Sequence, residues 1–325
     1  MMLTILWPVI KYKRHLLVDK QVNIICKFQF KLSRRKPMDL KAIFQLMRPK
    51  QWIKNFFVFA AIIFSGKCFD KNILYLNIIT FILFCLTSSS VYVLNDIADI
   101  EKDRCHPDKK RRPLPSGRVS IKTAVIFDVL IILFVVYFSY KIMGIKILSI
   151  LLIYIITNIL YSFKLKNLVI IDVMTITFGF VLRVESGSLA TGVRVSAWLF
   201  VCTILLALFL ALNKRRSEII TLKGRSGSHR KILEEYSVEM LDKMLIIVTP
   251  SILMAYCLYT FSSVQSKTMI FTIPFVLYGV FRYEYLVDKK NVGGKPEDVF
   301  GKDVPFLINI ILWMISVLSI IYFKL

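Results

Sequence analysis

The chain has 325 residues, 56% of them hydrophobic, and its mean hydropathy is +0.64. This composition excludes a soluble globular domain and indicates an integral membrane protein. The formal net charge of +23 does not indicate nucleic-acid binding, because the Lys and Arg residues lie between apolar runs, where cytoplasmic orientation, anionic lipid and phosphorylated ligands account for them better.

Residues 1–37 are basic and irregular. Their one apolar patch, residues 2–10, is too short to span a bilayer and lacks a small-residue cleavage site, which argues against a signal peptide. We expect residues 1–37 to be a poorly ordered extension without a part in the chemistry. Residues 38–325 are predicted to form one transmembrane domain.

The lengths of the apolar runs predict an all-α, polytopic membrane protein with about nine transmembrane helices. Interruptions such as Pro250, Pro274 and Gly179 are tolerated in bundled membrane helices. The predicted spans are 52–66, 73–96, 119–141, 145–162, 168–187, 195–213, 243–263, 267–287 and 303–323.

Lys and Arg are distributed unevenly between the predicted loops. Most precede the odd-numbered spans, whereas the other loops contain only Lys67, Lys71, Lys141, Lys146, Arg194 and Lys267. Because cytoplasmic loops carry the excess of basic residues, the N-terminus is predicted to be cytoplasmic and the C-terminus to lie outside the plasma membrane. The acidic loop after the second span, and with it the active site, is predicted to be cytoplasmic.

A cluster of acidic residues closes the second apolar run. On a helix that turns roughly 100° per residue, Asp96, Asp99 and Asp103 fall on one face, with Asn95 at its edge. Acids at the end of a membrane span are costly and indicate function. Oxygen ligands without His or Cys suit Mg²⁺, which commonly bridges carboxylates to a substrate phosphate. The alternative is a charged loop that marks the membrane boundary, which needs basic residues but not acids in helical register.

Other polar residues lie at the same predicted face. Lys109, Arg111 and Arg112 follow the acids and supply donors for a phosphate. Tyr161, Lys166 and Asp172 adjoin the fourth and fifth spans; Asp172 could be a second metal ligand or an acceptor for a sugar hydroxyl, and the alternative is a basic loop with a snorkelling Tyr.

Basic residues at three further positions are also candidates. Arg183 lies within an apolar run and needs a carboxylate or phosphate partner, for which Glu185 is the local candidate. Lys54 lies deep enough to bind an anionic head group. The longest loop is predicted at residues 214–242, and a loop at 288–303 could be a lid or a surface turn. The six cysteines have no CxxC spacing and predict neither a zinc site nor a disulfide framework.

The acidic stretch Asn95-Asp96-x-x-Asp99-x-x-x-Asp103 resembles the NDxxDxxxD motif of the UbiA superfamily of intramembrane prenyltransferases. Further stretches resemble the decaprenyl-phosphate phosphoribosyltransferase branch of that superfamily over residues 38–325. They are Arg48-Pro49-x-Gln51-Trp52-x-Lys54-Asn55, His106-Pro107-x-Lys109-x-x-Arg112-Pro113, Tyr161-Ser162-x-x-Leu165-Lys166 with Asp172, Gly179-Phe180-x-x-Arg183, Lys214-Arg215-x-x-Glu218 and Gly293-Gly294-x-Pro296-Glu297.

The resemblance implies a UbiA-type helical bundle that transfers 5-phosphoribose from phosphoribosyl diphosphate to a polyprenyl phosphate, with Mg²⁺ as cofactor. It assigns Mg²⁺ and the donor diphosphate to Asn95, Asp96, Asp99 and Asp103, and the diphosphate oxygens to Lys109, Arg111 and Arg112. Tyr161, Lys166 and Asp172 are expected to face the ribose or its 5-phosphate. The candidates for the acceptor phosphate are Lys54, Arg183, Lys214 and Arg215.

Three alternatives remain open from the sequence. A prenyltransferase that moves a prenyl group from a prenyl diphosphate to an aromatic or other small acceptor would use the same acids. A lipid-phosphate transporter predicts charges throughout the membrane depth in paired halves, whereas here they gather at one predicted face. A non-catalytic scaffold gives no reason for the acids. Polyprenyl length and oligomeric state are not predicted.

Overall fold

The computed structural model describes residues 39–105, 109–222, 232–262, 267–290, 299 and 303–323. Within these ranges all regular structure is helical, so the all-α prediction is confirmed. The predicted extension at 1–37 and most of the predicted loop at 288–303 lie outside the described residues.

The chain order of the helices is as follows. The α-helices are α1 (Leu40–Leu46), α2 (Ala60–Phe64), α3 (Lys71–Ala98), α4 (Ile100–Cys105), α5 (Ile121–Phe138), α6 (Ile145–Phe163), α7 (Ile171–Thr191), α8 (Ala197–Leu222), α9 (Ile232–Glu235), α10 (Val238–Phe261), α11 (Ile273–Lys290) and α12 (Val304–Phe323). A π-helical turn, Ser139–Met143, extends α5, and 3₁₀ helices occupy Pro49–Phe59, Lys109–Arg111, Leu165–Asn167 and Lys267–Thr272.

Eight helices in the described part of the chain are long and apolar enough to cross a membrane, which makes this a multi-pass membrane protein. They correspond to the last eight of the predicted spans. The first predicted span, 52–66, differs: it consists of the 3₁₀ helix Pro49–Phe59 followed by the short helix α2. Apolar run length does not distinguish α from 3₁₀ geometry, and polar Lys54 and Asn55 interrupt the run.

The charged residues after the sixth predicted span are helical and do not begin a loop. Helix α8 continues to Leu222, so Lys214 and Arg215 lie on its last turns and the prediction of a loop at 214–242 is wrong there. Arg215 is buried in this helix, and acidic partners within the fold neutralise its charge. Helix α10 begins at Val238, where the Ser237 hydroxyl accepts a hydrogen bond from the Met240 N–H at 3.0 Å.

The described residues form two compact units. The first comprises residues 39–49 with Ser89–Leu133, and its apolar core contains Leu46 from α1, Val93 from α3 and Leu114 from the following turn. Each of these three side chains is at most 1% exposed. This core attaches α1 and the turn after the acidic residues to the last part of α3.

The second unit comprises the described residues of Lys50–Ser88 and Phe134–Leu325. Helix α8 packs against α7 and α10, and its Phe209 and Leu212 join Leu241 and Leu245 of α10 in the largest apolar core. Many apolar side chains on α5, α6 and α12 are exposed, as expected for residues that face lipid.

Within the second unit, Gly187 on α7 allows a close helix contact. A Cβ at this position would lie 1.9 Å from the backbone carbonyl oxygen of Val58, and backbone atoms cannot rotate away as a side chain can. A glycine is therefore required where α7 meets the 3₁₀ helix Pro49–Phe59.

We predict that Gly187→Ala lowers the stability of the protein in detergent by about 1–3 kcal/mol or more, because the new methyl group forces the two backbones apart. Thermal unfolding measures this change. The matched control is Gly279→Ala, whose Cβ would meet only the end of the Asn309 side chain at 3.2 Å. Equal unfolding temperatures for the two variants would contradict the close contact at Gly187.

Candidate active site

The acidic residues follow one another at helical spacing from the end of α3 into α4, and Asp96 and Asp103 contact the same guanidinium. The helix is interrupted by a turn at Asp99, but the Asp99 N–H still donates to Asn95 O at 3.0 Å and the Asp103 N–H to Asp99 O at 2.9 Å. Asp96 is 2% exposed and Asp103 is 3% exposed, whereas Asp99 is half-buried. We call Asp96, Asp99 and Asp103 the acid cluster.

Cationic side chains lie between the two buried acids. Nη1 of Arg112 donates to Asp96 Oδ1 at 3.1 Å and to Asp103 Oδ2 at 2.6 Å, so one guanidinium nitrogen bridges both carboxylates. Nζ of Lys109 lies 3.7 Å from the other oxygen of Asp103. These pairs supply the counter-charge that two adjacent buried carboxylates require.

The turn after α4 positions Arg112. The Arg112 N–H donates to Lys109 O at 2.9 Å, and the Ser116 hydroxyl donates to Arg112 O at 2.6 Å. Leu114, two residues farther on, is buried in the core of the first unit. The basic segment is therefore folded back onto the acids. Arg111 in the same segment is exposed, and its carbonyl accepts a hydrogen bond from Arg118 at 2.9 Å.

A third cation at the acid cluster was not among the site residues predicted from the sequence. Arg48 donates from Nη2 to Asp96 Oδ1, and its guanidinium carbon lies 4.9 Å from the centre of the Tyr92 ring. Tyr92 precedes Asp96 by one helical turn, so both contacts use the same face of α3. The only sequence signal for Arg48 was its place in the Arg48-Pro49 stretch.

The donor groups at the acid cluster fit a hard divalent cation. One oxygen each of Asp96 and Asp103 contacts Nη1 of Arg112, so the two carboxylates converge on a single positive group. Mg²⁺ typically uses one or two carboxylates together with waters and substrate phosphates, and two converging carboxylates meet that requirement. In the described part of the chain, no three His, Cys, Asp or Glu side chains form a group that could hold a metal. Direct ligation by Asp99 as a third carboxylate therefore stays a prediction.

A second polar network lies in the other unit and surrounds Asp172. Asp172 is 0% exposed: its Oδ1 accepts a hydrogen bond from the Tyr236 hydroxyl at 2.6 Å, and its Oδ2 accepts one from Arg215 Nε at 2.6 Å. Arg215 is also 0% exposed and donates to Glu218 at 2.5 Å and to the Tyr161 hydroxyl at 2.8 Å. We call these five residues the Asp172 network.

Within the Asp172 network, burial distinguishes residues that can contact a substrate from residues that only position other side chains. Both carboxylate oxygens of Asp172 have protein donors, and Arg215 is completely enclosed, which favours a positioning role for each. Tyr161 is only half-buried, and its oxygen accepts from Arg215. The Tyr161 proton is therefore available to donate to another acceptor.

Tyr236 was missed from the sequence because it lies in the stretch 214–242, which was predicted to be one long loop without an apolar period. Its hydroxyl also accepts a hydrogen bond from the N–H of Ile170 at 2.7 Å, and Ile170 has a left-handed backbone with φ of 67°. Burial, reinforced by the hydrogen bond to Asp172, raises the pKa of Tyr236, so its hydroxyl stays protonated and remains a donor.

Arg183 is held by neutral groups. It donates to the Asn55 side chain at 2.8 Å, to Gly179 O at 2.6 Å and to the Tyr154 hydroxyl at 2.9 Å. Aromatic rings of Phe84, Tyr154 and Phe180 lie within 5.4 Å of its guanidinium carbon. The local partner Glu185 is not used, and Arg183 has no ion pair in the described ranges. This enclosure favours a role in fixing Asn55, next to Lys54.

The remaining candidates are located as follows. Lys54 is half-buried and donates to the Gln51 side chain at 2.6 Å. Lys166 lies half-buried in the 3₁₀ turn Leu165–Asn167, and Lys214 lies half-buried on α8. Asn95 is half-buried on the last turn of α3. Each cluster is described within its own unit, and the expectation that both line one cavity stays a prediction.

The sequence matches the UbiA prenyltransferase family over residues 55–311. This match covers most of the chain. The chain belongs to the UbiA prenyltransferase family. Membership confirms the superfamily resemblance and identifies the protein as a membrane-embedded transferase.

Two UbiA relatives cover nearly the whole chain. A decaprenyl-phosphate phosphoribosyltransferase from Corynebacterium glutamicum is 29% identical over 300 residues, 89% of this chain and 90% of the relative. A protein of the same name from Mycolicibacterium smegmatis is 27% identical over 88% of this chain and 94% of its own length. The similarity to the predicted branch is therefore not confined to short motifs.

A solved UbiA structure has the same fold. The UbiA homolog from Archaeoglobus fulgidus bound to GPP and Mg²⁺ superposes with a TM-score of 0.64 and 17% identity, covering 86% of this chain and 99% of that one. At this identity the likeness concerns the fold alone.

We predict that Tyr236→Phe destabilises the protein by about 1–3 kcal/mol, because Asp172 loses a donor and the Ile170 N–H loses its acceptor. Thermal unfolding against Tyr278→Phe, an exposed tyrosine on α11, measures the effect. Because the pKa of Tyr236 is raised on folding, the wild-type advantage is full below about pH 10 and declines as the pH rises further. Identical unfolding of both variants would rule out the role of Tyr236.

Proposed function

We propose that this UbiA protein transfers 5-phosphoribose from phosphoribosyl diphosphate to a polyprenyl phosphate and releases diphosphate. The observation that carries the proposal is the acid cluster: two buried carboxylates, Asp96 and Asp103, accompanied by the three cations Arg48, Lys109 and Arg112. Carboxylates that can hold a divalent metal, placed beside cations that can bind phosphate oxygens, suit a metal-bound polyanion. The choice of phosphoribose over a prenyl group is supported by the two relatives that cover nine-tenths of the chain.

The acid cluster and its cations account for the departure of the leaving group. As the anomeric carbon–oxygen bond breaks, negative charge builds on the diphosphate and the sugar acquires oxocarbenium character. Asp96, Asp99 and Asp103 are assigned to holding Mg²⁺, which when bound neutralises that charge. Arg112 and Lys109 are assigned to the diphosphate oxygens through charge-assisted hydrogen bonds.

The acceptor requires little proton chemistry. A polyprenyl phosphate is already anionic, so it can attack the anomeric carbon without a strong general base, and the mechanism does not need a histidine. Lys54 and Lys214 remain the candidates for its phosphate, with Arg183 and Arg215 now assigned to positioning. The isoprenoid tail explains why this chemistry is carried out by a membrane protein.

The Asp172 network is assigned to the phosphoribosyl group. Tyr161, whose oxygen is occupied by Arg215, directs its proton toward a ribose oxygen, and Lys166 provides the charge for the 5-phosphate. Asp172 does not contact the substrate in this assignment; it positions Arg215, which in turn bonds Tyr161. We further propose that the Asp172 network and the acid cluster face the cytoplasm, because basic residues are concentrated in the loops that are predicted to be cytoplasmic.

Calorimetry with purified protein tests the donor. We predict Mg²⁺-dependent binding of phosphoribosyl diphosphate, weakened by Lys166→Ala by about 1.5–3 kcal/mol because a charged hydrogen bond to the 5-phosphate is lost. Lys164→Ala is the matched control, since Lys164 is an exposed lysine in the same connection.

Two results would contradict this assignment. Binding of geranyl diphosphate without binding of phosphoribosyl diphosphate would establish the prenyltransferase alternative. If Lys164→Ala and Lys166→Ala weaken the binding of phosphoribosyl diphosphate equally, Lys166 contributes only general positive charge and does not contact the 5-phosphate.

The metal assignment makes a separate prediction. Asp99→Asn should retain the fold but abolish turnover, because an amide lacks the charge that holds Mg²⁺. The control is Glu101→Gln, an exposed acid two residues away whose side chain is 62% exposed. A Mg²⁺ titration of activity measures both variants, and near-normal turnover of Asp99→Asn would refute the ligand role. Deleting residues 1–37 should leave activity intact.

A further inference from the structure

Arg48 combines an unfavourable backbone with a defined side-chain position. Its φ is 50°, in the left-handed region, although it is not glycine and it precedes Pro49. A residue before proline normally adopts extended geometry, and a left-handed conformation costs a non-glycine residue about 1–2 kcal/mol. Strain of this kind persists where surrounding contacts fix the residue, and it concentrates at functional sites.

Besides the backbone hydrogen bonds of Met47 and Arg48 to the end of α1, three contacts from one face of α3 fix this turn. The Ser89 hydroxyl donates to Met47 O at 2.9 Å, the Tyr92 ring lies under the guanidinium, and Asp96 accepts from it. Ser89, Tyr92 and Asp96 are spaced i, i+3 and i+7. The strained turn therefore delivers one guanidinium to one oxygen of the acid cluster.

That oxygen is used twice. Asp96 Oδ1 accepts from Arg48 and also from Arg112, so two cations already neutralise a carboxylate that is assigned to the metal. A divalent cation arriving alone would meet this paired carboxylate and the repulsion of two guanidinium groups. A metal already complexed with diphosphate brings the negative charge that both arginines can bind.

We propose that Arg48 is a donor-site residue that serves as an internal counter-ion: it holds Asp96 against free Mg²⁺ and transfers its hydrogen bonds to the diphosphate when the magnesium–diphosphate complex binds. Arg48 is suited to this exchange because its side chain is 24% exposed and rests on an aromatic face. The cation–π contact with Tyr92 does not depend on the hydrogen bond to Asp96, so it can hold the guanidinium while that hydrogen bond is exchanged.

A structural role and a counter-ion role of Arg48 predict opposite changes in the affinity for Mg²⁺ alone when the side chain is removed. If Arg48 only anchors the turn, its removal weakens the binding of every ligand at the cluster. If it is a counter-ion, its removal strengthens binding of Mg²⁺ alone and weakens binding of magnesium diphosphate. The inference rests on the proposed function in one respect, that the acid cluster binds magnesium-complexed diphosphate, whatever group the diphosphate carries.

The test is calorimetry of the full chain with two probes, MgCl₂ alone and MgCl₂ with inorganic diphosphate. For Arg48→Gln we expect magnesium diphosphate to bind about tenfold more weakly or worse, and Mg²⁺ alone to bind several-fold more tightly. Arg48→Gly should give the same pair of shifts with a higher unfolding temperature than Arg48→Gln, because glycine suits the left-handed backbone. Arg48→Lys should recover part of the diphosphate affinity.

Lys122→Gln is the matched control, since it removes one exposed cation from the same unit and should change neither affinity. Unchanged or weaker Mg²⁺ binding by both Arg48→Gln and Arg48→Gly would overturn the counter-ion role while leaving the proposed function intact. Failure of the wild-type protein to bind magnesium diphosphate would overturn the proposed function as well as this inference.

Discussion

The pairing of buried aspartates with arginines is the interaction on which the rest of this structure depends. Asp96 and Asp103 in one unit and Asp172 in the other are all at most 3% exposed, and each is held by a guanidinium. Removing one partner from such a pair leaves a buried charge and costs several kcal/mol, roughly 3–5. The acids therefore constrain where the basic segments can fold.

The two sets of ion pairs differ in how exposed their arginines are. Arg215 is fully buried and bound to three partners, so its ion pair with Asp172 fixes the contact between α7 and α8. Arg48 and Arg112 keep 24% and 32% of their side chains exposed and share a single oxygen of Asp96. An enclosed pair suits positioning, whereas an accessible pair can exchange partners when a ligand arrives.

Local sequence pattern predicted those features that depend on short-range geometry. The acids repeat at helical spacing, so the common partner of Asp96 and Asp103 agrees with the sequence pattern, and apolar run length found eight spans correctly. The distant partners of the acids could not be found in this way: Arg48 lies 48 residues from Asp96, and Tyr236 lies 64 residues from Asp172. The extension of α8 through Lys214 and Arg215 was missed for the same reason, because burial of Arg215 depends on a distant carboxylate.

The activity that we propose for this UbiA protein is transfer of phosphoribose to a lipid phosphate. The most direct measurement incubates purified protein in liposomes with phosphoribosyl diphosphate labelled in the ribose and a polyprenyl phosphate, and follows the label into the lipid phase. We predict Mg²⁺-dependent appearance of labelled lipid with release of one diphosphate for each label transferred. Absence of labelled lipid, together with transfer of a prenyl group from a prenyl diphosphate to a small acceptor by the same preparation, would instead identify the protein as a prenyltransferase.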